Sequence, residues 1–114
     1  MKNWNAYLPK IKVTIDRRAK EQFSEHVRFL KRESPSAARR LVSSYKKSIA
    51  RIADNPLQFP MADELDVPNV QPNIYRKCLF EERYKALFIV EGGDVLVDAV
   101  IDSRMGNRGA LGDD

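Results

Sequence analysis

The sequence predicts a single two-layer α+β domain over residues 1–114, with elements in the order β-α-α-β-β-β and a helical hairpin packed on one face of a mainly antiparallel sheet. Three observations predict it. Residues 10–15 alternate strictly between apolar and polar, two stripes of helical period follow, and two β-rich runs flank a tight-turn signal at Glu91-Gly92-Gly93-Asp94.

In the first run, Ile11, Val13 and Ile15 share one face and Lys10, Lys12 and Thr14 the other, the mark of a half-buried strand. From Asp16 the period changes. Ala19, Phe23, Val27 and Leu30 recur at spacings of three and four, and Asp16 is placed to cap a helix ending near Glu33. Ser34-Pro35 restarts the pattern, because serine accepts from orphan backbone N–H groups and proline at the first helical position lacks an N–H to leave unpaired. Ala38, Leu41, Val42, Tyr45, Ile49 and Ile52 form the buried stripe of this second helix, which stops at Asp54-Asn55-Pro56. So short a break between helices implies an antiparallel helical hairpin. Prolines at 56, 60, 68 and 72 make 55–72 an irregular connection, pinned to the body by Leu57, Phe59, Met61 and Leu65. Strand character returns at Ile74–Phe80, and Tyr84–Val90 and Val95–Ile101 pair across the glycine turn as a hairpin. Residues 1–9 and 105–114 are expected to be tails, the latter loose.

A chain of 114 residues and 13.1 kDa holds one core, and 43% hydrophobic with 32% charged residues fits neither a disordered chain nor a membrane protein. No stretch approaches the roughly 18 uninterrupted apolar residues of a membrane span. The start, Met1-Lys2-Asn3-Trp4-Asn5, leads into no apolar run, so a secretory leader is not expected. Cys78 is the only cysteine, which excludes an internal disulfide and a multi-cysteine zinc cage and makes a reducing cytoplasm the expected compartment; no cofactor or metal is expected. The net charge of +4 conceals an asymmetry. Through Ala53 there are fourteen Lys and Arg against four acids, a net of +10; beyond it there are six against twelve, a net of −6. A basic first half suggests an anionic partner, either nucleic acid or an acidic protein.

Parity along the strands assigns faces. In the last strand Val95, Val97, Ala99 and Ile101 are expected to face the helices, leaving Leu96, Asp98, Val100, Asp102 and Arg104 on the far side. In its partner Tyr84, Ala86, Phe88 and Val90 face inward and Lys85, Leu87 and Ile89 outward. With Tyr75 and Leu79 inward, Arg76, Cys78 and Phe80 point outward. The far face then gathers Arg76, Cys78, Lys85, Asp98, Asp102 and Arg104 around Leu87, Ile89 and Leu96. Two readings stand: a phosphate- or RNA-contacting surface in which Arg76, Lys85 and Arg104 stabilise developing negative charge, or a solvated face whose cations pair with Asp98 and Asp102. Cys78 reads as an inert, partly buried thiol, and His26 as a packing or helix-surface residue.

The order of elements, together with Asn55-Pro56-Leu57-Gln58-Phe59-Pro60, Tyr75-Arg76-Lys77, Arg83-Tyr84-Lys85-Ala86-Leu87-Phe88 and Val100-Ile101-Asp102-Ser103-Arg104, resembles the RelE/ParE superfamily of toxins from type II toxin–antitoxin modules, the plasmid-stabilisation type, over about residues 10 to 105. The resemblance implies a cognate antitoxin protein whose extended, often acidic segment lies along the basic helices and the sheet, with operator DNA bound only through the antitoxin complex. RelE-like members cut messenger RNA on the ribosome without metal, and ParE-like members inhibit DNA gyrase. Ribosome-dependent cleavage is the expected activity, with gyrase inhibition or a non-catalytic binding module as alternatives. By position, Arg76, Lys85 and Arg104 fall where the ribonucleases carry their catalytic cations. The chain departs from that set at Cys78, where a second strand lysine is expected, and past Arg104, where neither tyrosine nor histidine follows. The electrostatic half of RNA cleavage is thus represented and a neutral acid–base group is not.

Overall fold

A computed structural model describes residues 11–104 and 110–111. The expected N-terminal tail, with Trp4 and Tyr7, and most of the expected C-terminal tail lie outside the described residues.

Strand β1 (Val13–Ile15) leads through Asp16 into helix α1 (Arg17–Glu33), and helix α2 (Pro35–Asp54) follows after a single residue. Asp16 caps α1 as its sequence position suggests, its carboxylate accepting from Arg18 N–H at 3.0 Å. Ser34 serves both helices at once. Its N–H donates to Leu30 O at 2.7 Å to close α1, and its hydroxyl accepts from Ala37 N–H at 3.2 Å to open α2, with Pro35 at the first helical position. A short 3-10 turn (Pro56–Gln58) begins the irregular connection to β2 (Arg76–Phe80), β3 (Tyr84–Glu91) and β4 (Asp94–Asp102). Between β3 and β4, Gly92 and Gly93 both take positive φ, 60° and 85°, as a two-residue hairpin loop in this sheet requires.

The sheet runs β1-β4-β3-β2, with β1 parallel to β4 and the other pairs antiparallel. Helices α1 and α2 cover one face. A row of rings joins the layers: Phe23 stacks on Tyr45 with centroids 3.9 Å apart, Tyr45 meets Phe80 at 5.8 Å, Phe80 meets Tyr84 at 5.8 Å, and Tyr84 meets His26 at 5.2 Å. Leu41, Ile52, Ala86, Phe88, Val95 and Val97 fill the core beneath the helices.

The other face is covered too. Ala62, Val67 and Val70 of the irregular connection lie over Leu87, Ala99 and Ile101, with Tyr75, Ala110 and Leu111 packed at the margin. The connection is fastened along the outer edge of β2 by Lys77 N–H to Pro60 O at 2.9 Å and Ala62 N–H to Tyr75 O at 2.8 Å. Its anchors are Phe59, Ala62, Val67 and Val70, whereas Leu57 and Leu65, expected to pin it, are 63% and 94% exposed. At the C-terminal end, Ala110 and Leu111 are half-buried against this second cluster rather than loose.

Strand parity shifts in mid-strand. Phe88 lies opposite Val97 and Leu87 opposite Ala99, so Asp98 is an extra residue, a β-bulge. Beyond it every side chain changes face: Val100 and Asp102 lie on the helix side and Ala99 and Ile101 on the far side, the reverse of the sequence expectation. In β2, Arg76, Cys78 and Phe80 pair with Phe88, Ala86 and Tyr84 on the helix side, and Leu79 points away and is 53% exposed. The bulk of Phe80, seated between Tyr45 and Tyr84, decides that parity against Leu79.

Candidate functional site

The three cations expected to act together are not brought together. Arg76 points to the helix side, where its guanidinium donates to Phe59 O at 2.7 Å. Lys85 lies on the far side, under the irregular connection, with its ammonium 2.6 Å from Asp66. Arg104 follows the end of β4; its backbone N–H donates to Asp102 Oδ1 at 3.0 Å and its side chain is exposed. Asp98 and Asp102 are buried in separate ion pairs rather than facing solvent among the three cations.

Three acid-centred clusters organise the charge instead. The first is Asp66, whose side chain is only 2% exposed and lies between Lys77 at 2.8 Å and Lys85 at 2.6 Å. It also accepts from Asp63 N–H at 2.8 Å, which ties the turn that carries it. Burial alone would raise the Asp66 carboxyl; hydrogen bonds from the two lysines and from Asp63 N–H outweigh that and bring it down to about 2. At physiological pH it is therefore an anion, and it occupies the lysine charge that an incoming phosphate would need.

The second cluster is built by the bulge. Asp98 accepts from Tyr75 hydroxyl at 2.6 Å and pairs with Arg18 of α1 at 2.8 Å. Burial, reinforced by the hydrogen bond to Asp98, pushes the Tyr75 phenol up to about 12, so this tyrosine is a fixed donor and no acid near neutrality. In the third, Arg83 grips Asp102 with two bonds of 2.9 and 2.7 Å. Burial raises the Asp102 carboxyl, and the bonds from Arg83 and Arg104 N–H prevail and hold it below its ordinary value.

The remaining candidates are inert. Cys78 is buried, and burial pushes its thiol up, as expected for a structural cysteine. His26 is a packing residue: its Nε2 donates to Val100 O at 2.8 Å and its ring lies against Tyr84. No group of three His, Cys, Asp or Glu suited to a metal occurs among the described residues, and no helix there is long and apolar enough to cross a membrane. Sequence reasoning missed Asp66, Lys77 and Tyr75. The signal available was the lysine pair itself: Lys77 and Lys85 fall on one face once the β2–β3 register is known, and an acid from the connection must answer them.

A search of curated proteins finds no match. Among solved structures, a chain from "Chromosomal ParDE TA system from P. aeruginosa" shares the fold, with a TM-score of 0.64 at 15% identity, covering 82% of this chain and 96% of that one. The profile described as "ParE toxin of type II toxin-antitoxin system, parDE" matches residues 13–106, from β1 to just past the end of β4. With the match running through both helices and the whole sheet, this chain belongs to the ParE toxin family of type II toxin–antitoxin systems.

Proposed function

We propose that this toxin acts in the cytoplasm by binding and inhibiting DNA gyrase, not by cutting messenger RNA, and that a cognate antitoxin neutralises it. The observation that carries this reading is the dispersal of the cations. Cleavage at a 2′-hydroxyl needs positive charge converging on one phosphate together with a proton acceptor. Here Lys77 and Lys85 are bound to Asp66 beneath a covering loop, Arg76 serves Phe59 O on the opposite face, and Tyr75 is fixed as a donor. Membership of the ParE family supports the same side of the choice. Of the three cations, Arg104 is the one we assign to contact with the target, since it is exposed at the strand end.

Two measurements test the reading together. Purified toxin added to gyrase and relaxed plasmid is expected to reduce supercoiling, and induction in cells is expected to provoke a DNA-damage response with no new message ends by primer extension. New codon-phased ends in translated messages, with supercoiling untouched, would return the chain to the ribonuclease branch.

A further inference from the structure

Helix α2 carries a cationic face that neither the fold nor the proposed target explains. Between its ends the exposed residues are Ser36, Arg39, Arg40, Ser43, Lys46, Lys47, Ala50 and Arg51, and Pro35 and Asp54 are exposed at the two ends. At 3.6 residues per turn, Arg39 and Lys46 fall in one row and Arg40 and Lys47 in another, on either side of the small residues Ser36, Ser43 and Ala50. Members of each row are seven residues apart, about 10.5 Å along the axis. Arg39, Arg40, Lys46 and Lys47 form no ion pair within the described residues, and no acid occurs in α2 before Asp54. Glu81, from the turn between β2 and β3, hydrogen-bonds Ser44 at the flank of this face.

An ordinary solvated helix intersperses acids with cations, as α1 does with Arg17 and Glu21 at 3.3 Å. In α2, Lys47 has Arg51 four residues on, a like-charge neighbour that disfavours the isolated helix. Arg51 turns aside, its guanidinium over the Phe59 ring at 5.2 Å, and leaves four cations facing solvent. The face also lacks any large apolar side chain. A protein partner is anchored by buried aromatic or aliphatic groups, whereas a phosphate backbone is met by Lys and Arg with small polar residues between them.

We propose that the outer face of α2 binds the phosphate backbone of duplex DNA without regard to sequence, through Arg39, Arg40, Lys46 and Lys47. Ser43 and Ala50 allow the helix to approach closely, and the two rows reach along roughly 10 Å of strand, about three phosphates at 3.4 Å each along the duplex axis. This goes beyond the choice of target, because it concerns the toxin alone with DNA.

Fluorescence anisotropy of the full chain with two short labelled duplexes of unrelated sequence tests it. Both duplexes are expected to bind equally, with log K against log salt falling at a slope of about −3 to −4 for three or four neutralised phosphates. R39A/K46A and R40A/K47A are each expected to make the slope shallower by about 2 and to weaken binding at least tenfold at low salt, with unchanged circular dichroism. Because the whole chain is basic, the K20A/R28A variant of α1 removes the same charge as a control and is expected to leave binding within about twofold. Equal weakening by the α1 and α2 variants, an absence of salt-dependent binding, or displacement of the duplex by polyglutamate at lower concentration than by unlabelled duplex would each overturn the proposal, the last in favour of an acidic protein partner. None of these outcomes depends on gyrase, so the supercoiling result stands apart from them.

Discussion

Asp66 holds together the charged part of the second face, between Lys77 and Lys85. Among the described residues it is the only counter-charge of Lys77 and Lys85, whose side chains are 26% and 20% exposed, so its removal leaves two partly desolvated cations facing each other. Asp66→Asn is expected to lower stability by about 2 kcal/mol, discounted from the larger cost of a fully buried pair because water still reaches both lysines. A shift in the urea midpoint at unchanged m-value checks it. The pH dependence has a definite sign. A carboxyl lowered on folding from 3.8 to about 2 contributes stability that is complete above pH 4 and is lost as the pH falls toward 2. At about 1.4 kcal/mol per unit this amounts to roughly 2 kcal/mol, so Asp66→Asn should flatten the acid limb of the stability profile. At this scale the sequence was half legible. Cys78 and His26 read correctly because their lack of suitable neighbours is a property of composition, whereas Asp66 sits in an aperiodic stretch where no pattern assigns a face.

Among the elements, β4 shows what period-2 reasoning can and cannot see. Its first half, Val95 and Val97, follows the expected parity, and one inserted residue reverses the rest. The run Val97-Asp98-Ala99-Val100-Ile101 alternates about as well in either phase, since only Asp98 is polar and it is the residue that drops out of the ladder. The bulge also frees an edge, because β1 pairs with β4 only as far as Val97. Helix α1 closes that edge with side chains four residues apart. Arg18 Nε donates to Asp98 O at 3.3 Å, Gln22 Oε1 accepts from Val100 N–H at 2.8 Å, and His26 Nε2 donates to Val100 O at 2.8 Å. In the sequence this is a polar stripe beside the apolar one, and nothing in helical period distinguishes it from a solvated face. Gln22→Ala is expected to leave the Val100 N–H unpaired and cost about 1–2 kcal/mol. The Val100 amide should then exchange with solvent faster than its neighbours in β4, while amides of β2 and β3 follow only the global change; uniform exchange across β4 would deny Gln22 this role.

For the whole molecule, the decisive fact is that the sheet is buried on both faces. The β3 run Ala86-Leu87-Phe88 has no exposed member, with Phe88 under the helices and Leu87 under the connection, which is the pattern of a covered sheet rather than of a half-open one. A solvated far face was expected because the helical hairpin accounts for only one side of the sheet, yet Ala62, Val67 and Val70 of the connection supply apolar surface that closes the other. Leu87→Ala should therefore behave as a core substitution and cost about 2–4 kcal/mol. Leu79→Ala, on the same face of the sheet and 53% exposed, should stay within about 0.5 kcal/mol. Equal, small losses at both positions would mean that the connection does not cover the sheet in solution. The same closure leaves strand ends and helix backs exposed, and the proposed target contact at Arg104 lies on such a strand end. Arg104→Ala is then expected to relieve growth arrest and restore supercoiling with no change in melting temperature. Lys85→Ala is expected to lower the melting temperature, because the buried Asp66 keeps only Lys77 of its two lysine partners, and to leave supercoiling inhibition per folded molecule as it was. The opposite pattern, with inhibition lost at Lys85 in a protein that melts normally, would put the working surface back on the sheet.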